Sequence, residues 1–309
     1  MATTFDVSNS VTKSAVDTSK FVPEIWVDEI IATYKKSLVL ANLVRKFNVT
    51  GQKGDAVNVP GFTRGAASAK AASAIVTLQT HSGTGIQVTL DQHWEYSRLI
   101  EDIVKVQSNN PMRGVYTEDA GYTLAKKIDS VLHDLASSWQ TGAGTAAFDK
   151  AVIGSDGSTL YTSGTPNQAP ITDAAIRKVI QTLDDADVPL SDRFLVIPPV
   201  ARNTLMGLAR FTEQAFVGEA GASNTIRTGR LGNIYGVEVY VTSQCPTATG
   251  AARIASLFHK DANVLCMQQA VRIQTQYKLE ALAELLVGDT VFGAKEYRDA
   301  AGVAIAVTA

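Results

Sequence analysis

Gly83-Thr84-Gly85-Ile86-Gln87-Val88-Thr89-Leu90-Asp91-Gln92-His93-Trp94-Glu95-Tyr96 decides how the rest of the chain is read. Ile86, Val88, Leu90, Trp94 and Tyr96 alternate with Gln87, Thr89, Asp91, His93 and Glu95. That period of two predicts a strand with one buried face, opened by the Gly83-Thr84-Gly85 turn. Upstream, Gly51-Gln52-Lys53-Gly54-Asp55 is a turn cluster leading into the short strand Ala56-Val57-Asn58-Val59, which Pro60 is expected to end. Gly61 to Ser73 is built of small residues, among them Gly65, Ala66, Ala67 and Ala71, with nothing bulky to anchor it. Phe47 to Tyr96 therefore predicts a long β-hairpin with a thin tip. Such a hairpin is marginal alone and needs something to lie on, which hints at a partner subunit.

Toward the N-terminus, the first twenty residues are polar and lack helical periodicity, as an extended arm would. They have no apolar core and no basic start, so no signal peptide is expected. From Phe21-Val22-Pro23-Glu24 a helix is predicted through about Leu40. Pro23 suits its first position, and Ile25, Ile30, Ile31, Tyr34 and Leu38 form the apolar stripe.

Beyond the hairpin, Pro111 opens the longest helical pattern. Leu124, Ile128, Val131, Leu132, Leu135 and Trp139 fall three and four apart, with Lys126, Lys127, Asp129 and Asp134 expected on the polar face. A helix from 112 to 140 would be about 40 Å long, a strut more than an average globular element. Thr141-Gly142-Ala143-Gly144-Thr145 should terminate it. Thr172 is the predicted N-cap of a helix carrying Ile176, Val179, Ile180 and Leu183. Phe194 to Ile197 is a short buried strand, and a helix is predicted over Val200 to about Arg210. Residues 211–230 read as loop. Val237 to Val241, Val271 to Leu279, Val287 to Tyr297 and Gly302 to Val307 supply further strands. The fold class is α+β: a compact α/β unit over roughly 141 to 260, with the long helix and late strands on either side of it.

Composition bounds the function. At 309 residues, with 45% hydrophobic and 19% charged residues, the chain can bury a substantial core. A net charge of -2 supplies no field to hold nucleic acid or an anionic membrane. No stretch approaches the ~20 apolar residues of a membrane span, and a cytoplasmic product is expected. Cys245 and Cys266 are too isolated for a disulfide framework or a zinc site and read as small buried hydrophobes. His81, His93, His133 and His259 share no ligand spacing, so no metal and no cofactor is expected. The motifs of nucleotide, hydrolase and metalloprotease sites are missing. Asp184-Asp185-Ala186-Asp187 is the sharpest acidic cluster. It reads as a solvated helix end more readily than as a magnesium or calcium patch. Three acids there oppose the helix dipole and call for a basic neighbour, with Arg227 and Arg230 as candidates. Trp26, Trp94 and Tyr96 lack basic interleaving and read as core or interface anchors rather than base-stacking platforms.

Several stretches, taken in order, resemble the major capsid proteins of tailed bacteriophages, which have the HK97-like fold. They are Phe21 to Trp26, Lys36 to Val44, Gly54 to Pro60, Gly229 to Val241, Phe258 to Ala262 and Gly288 to Lys295. The resemblance implies an N-terminal arm (1–46) and an extended loop overlapping a neighbouring subunit (47–96). It implies a peripheral domain (97–140) with a spine helix over 112–140, an axial domain (141–265), and C-terminal strands (266–309) returning to the peripheral domain. It further implies a non-catalytic homo-oligomer of hexamers and pentamers, closing an icosahedral shell around double-stranded DNA without sequence-specific binding. Scaffolding, portal and decoration proteins would be partners, and the virion, assembled in the host bacterial cytoplasm, the location. Candidate inter-subunit contacts are Phe21, Trp26, Lys53, Arg64, Lys70, Trp94, Asp184, Asp185, Asp187, Arg227 and Arg230. Some relatives crosslink Lys to Asn between subunits. Lys53 and Lys70 lie in the loop region, but no catalytic Glu can be placed and crosslinking is not expected. An encapsulin-like nanocompartment and an α/β enzyme with an unrecognised site are the alternatives.

Overall fold

The computed structural model describes residues 38–62, 65, 67–73, 75–76, 78, 83–107, 112–139, 148–208 and 231–308. The helix expected before Leu40, the loop at 211–230 and the helix stop at 141–145 lie outside them. Among the described residues no helix is long and apolar enough to cross a membrane.

The alternating stretch over residues 83–96 is not one strand. It breaks at Leu90–Asp91 into β3 (Gly83–Thr89) and β4 (Gln92–Glu101). β3 pairs antiparallel with β2 (Ala56–Phe62) in a two-stranded ribbon. β2 runs through Pro60 instead of ending there, because among the described residues it pairs with one strand alone and a residue without an N–H is tolerated on an edge. β4 enters a four-stranded sheet of order β1-β10-β11-β4, where β1 is Arg45–Asn48, β10 Asn263–Lys278 and β11 Ala283–Glu296. The ribbon's root is tied to that sheet. The Gln268 amide donates to Gln52 O and Gly54 O, and Lys295 Nζ donates to Gln87 O.

A four-residue helix, α1 (Leu40–Leu43), precedes β1, and α2 (Asp102–Gln107) follows β4. The long helix α3 runs Met112–Asp134 and tightens into a 3-10 turn over Leu135–Ser137, so its α-helical part stops short of the expected 140. Its apolar stripe is buried as expected, but Asp129 is not on the solvent face. Asp129 is fully buried and accepts the backbone N–H groups of Ala41 (3.1 Å) and Val39 (3.4 Å), clamping α1 to α3.

The α/β unit is a six-stranded mixed sheet of order β5-β12-β9-β6-β8-β7. Its strands are β5 (Val152–Ile153), β6 (Arg193–Ile197), β7 (Asn233–Ile234), β8 (Val237–Val241), β9 (Arg253–His259) and β12 (Gly302–Val307). β12 departs from expectation. It does not return to the four-stranded sheet with β10 and β11 but pairs with β9 and β5. The divisions drawn at 96/97 and 265/266 likewise fall inside β4 and β10. One face of this sheet (Leu195, Ile197, Ala255, Leu257, Val303, Ile305) packs with α4 (Asp173–Asp185) and α5 (Pro199–Met206). Thr172 caps α4, its side chain accepting the Ala175 N–H.

The opposite face, with Val196, Ile254, Phe258 and Ala304, joins a second core shared with α3 and the four-stranded sheet. Trp139 is its pivot. It packs against Phe258 with ring centroids 5.5 Å apart and donates to Asn263 Oδ1 at 2.9 Å. The glycine at 302 is required by this contact, because a Cβ there would meet Trp139 Cδ2 at 2.5 Å.

Candidate interaction surfaces

The far end of the four-stranded sheet gathers exposed apolar side chains that the sequence reading passed over. Leu99 lies near the end of β4, Ile103 and Val106 lie on α2, and Leu279 and Leu282 flank the β10–β11 turn. Val106 is 85% exposed, Leu279 78%, Leu282 65% and Ile103 58%. The Asp102 N–H donates to Leu282 O, and Leu285 stands opposite Leu99 in register. The polar groups between them satisfy one another. Tyr277 donates to Asp102 (2.5 Å), Lys105 binds Glu284 (2.7 Å), and Arg113 Nη1 is 3.6 Å from Glu284. Lys105 therefore holds the Glu284 carboxyl below its usual range. What remains to be covered is apolar, the signature of an interaction surface. One signal was legible: a Leu-Glu-Ala-Leu turn where Gly, Asn or Asp is usual, with Leu282 forced to φ +45.

The ribbon carries a second exposed apolar set, Ile75, Val76 and Leu78, beyond its root. Lys53 and Lys70 are exposed on the same projection. Trp94 lies partly under α3, with Lys127 Nζ 4.1 Å from its ring centroid and its indole N–H on Gln92. The acidic helix end finds its basic neighbour in Arg193, whose Nη2 lies 2.7 Å from Asp184 Oδ1, while Asp185 and Asp187 stay exposed. Phe21, Trp26, Arg64, Arg227 and Arg230 lie outside the described residues.

Among the described residues no group of acids, histidines and cysteines is placed to hold a metal ion. Cys245 and Cys266 are buried free thiols, as expected. Burial pushes the Cys245 thiol up to about 12, which makes it a poor nucleophile.

A protein-family model described as "Phage capsid protein" matches residues 76–305. No curated protein matches the chain in sequence. Among solved structures, one of Mycobacterium phage Che8 superposes with a TM-score of 0.74 at 22% identity, covering 93% of this chain and 97% of that one. The capsid of Cyanophage P-SCSP1u gives 0.75 at 14% identity over 99% of both chains. The mature capsid of bacteriophage PhiM1 gives 0.70 at 14%, over 97% and 99%. At these identities the superpositions establish a shared fold, the mixed α+β fold of phage capsid structures of HK97-like type.

Proposed function

Since the chain belongs to the phage capsid protein family and is a non-enzymatic component of the virion head shell, we propose that it builds that shell as hexamers and pentamers closing an icosahedron around double-stranded DNA. In this reading residues 1–46 are the arm, 47–96 the loop lying on a neighbour, and 97–140 the peripheral domain with α3 as its spine. Residues 141–265 form the axial domain. Of the strands within 266–309, β10 and β11 serve the peripheral domain and β12 the axial sheet. Lys53, Lys70, Trp94 and the Asp184–Asp187 end are contacts to neighbouring copies or helpers, as are Phe21, Trp26, Arg64, Arg227 and Arg230. Scaffolding, portal and decoration proteins are the partners, and assembly takes place in the host bacterial cytoplasm. A net charge of -2 suits a wall that encloses DNA without gripping it.

One observation carries the reading. A ribbon and a sheet end, both bearing apolar residues that their own chain leaves uncovered, make a monomer with unfinished surfaces. Electron microscopy of the overexpressed chain, alone and with co-expressed genomic neighbours, tests it. Closed shells or capsomer rings are expected. A monomer persisting under every condition, co-expressed scaffold included, would exclude the proposal.

A further inference from the structure

A surface cleft of about 550 Å³ opens where the α1–β1 junction meets the β9–β10 turn. Asn42, Arg45 and Lys46 form one wall, and His259, Lys260 and Asp261 line it from the turn. Asp192, on the loop before β6, closes it. We propose that this cleft binds an acidic peptide segment through its carboxylates.

The first argument is His259, only 8% exposed although it lines the opening. Its Nδ1 accepts the Asp261 N–H at 3.1 Å, so the neutral ring must carry its proton on Nε2. Nε2 has no hydrogen-bond partner among the described residues, leaving a fixed, nearly buried donor at the cleft. Burial, helped by Arg193 and Arg298 and opposed by Asp261 and Asp192, lowers the ring's pKa and keeps it neutral near pH 7.

The second argument is charge. Arg45 is 3.3 Å from Asp261 and lies over the rings of Phe47 and Tyr297, so these two charges are spent on each other. Among the described residues Lys46 Nζ is bonded only to the neutral Asn42 Oδ1 (3.1 Å). Among the described residues neither Lys46 nor Lys260 has an ion pair, and Asp192 alone opposes them. The uncompensated balance favours an anion. A nucleic-acid backbone fits less well, because a run of phosphates would have to pass both Asp192 and Asp261. A cleft of this volume takes a few side chains, as a carboxylate-bearing peptide offers.

The test uses the full chain and does not require it to assemble, so its failure and the failure of the shell reading are separable. A fluorescent oligo-aspartate peptide is titrated by anisotropy, with inorganic phosphate and a double-stranded oligonucleotide as competitors. Saturable binding is expected, weakened about tenfold or more in Lys46→Ala/Lys260→Ala, where two exposed lysines are lost and the fold is kept. His259→Gln, which retains a donor, should bind more tightly than His259→Phe. The proposal is overturned by absence of saturable binding, by unchanged affinity in the double lysine variant, or by phosphate or the oligonucleotide competing better than unlabelled peptide.

Discussion

Arg193 shows how a surface charge run is resolved one residue at a time. Its side chain is 1% exposed, whereas that of Asp184 is 47% exposed. The guanidinium also donates to Val188 O (2.6 Å) and Pro189 O (2.8 Å), so it holds the turn after α4 as well as the acid. The sequence pointed to a need for a cation near Asp184. It did not identify Arg193, because a buried arginine at a strand start carries no periodic signature. Asp129 escaped notice for a similar reason: its role depends on two N–H groups about 90 residues away in sequence. These geometries separate the partners' contributions. Arg193→Met should cost about 2–4 kcal/mol, since two carbonyls lose their donor inside the protein. Asp184→Asn should cost about 1 kcal/mol or less, because water already reaches that carboxylate. Urea melts of both variants measure the difference, and equal losses would mean that the ion pair, not the carbonyl contacts, fixes the turn.

Elements with a clear period were legible; of the strands buried throughout, only some were, β12 among them. α4 was, because Thr172 and the Ile176, Val179, Leu183 stripe mark both its start and its buried face. β9 was not, although it is central to its sheet. Ile254 to Phe258 is buried on both faces, so the strand shows no alternation. The break between β3 and β4 was hidden by the opposite effect, a period of two that continues across a change of sheet. Gly302 is a third kind of case, a glycine that looks like an ordinary strand start until Trp139 is placed beside it. Gly302→Ala should destabilise the chain by about 1–3 kcal/mol, since the pivot between the two sheets must shift to admit a methyl group. Thermal unfolding followed by tryptophan fluorescence reads this directly. An unchanged midpoint would show that the indole has room to move.

At the scale of the whole molecule, the sheets divide the work. The six-stranded sheet is covered on both faces, by α4 and α5 on one side and by the shared core on the other. The four-stranded sheet is anchored at one end by Trp139 and Phe292 and extends along β10, 16 residues or roughly 50 Å, to the uncovered leucines. Order of parts was the legible feature at this scale; the exposed apolar sheet end was not, because its residues come from β4, α2 and the β10–β11 turn. That division predicts that stability and assembly can be separated. Leu279→Asp/Leu282→Asp changes two side chains that contribute little to the core, so the melting midpoint should move by only a few degrees. Two carboxylates on the sheet end would have to be desolvated when copies meet there, at a cost of several kcal/mol per contact. Sedimentation should therefore show the variant as small oligomers or monomers where the parent chain forms shells. Shells at the parent yield would exclude this sheet end as a contact between copies and leave the ribbon as the principal one.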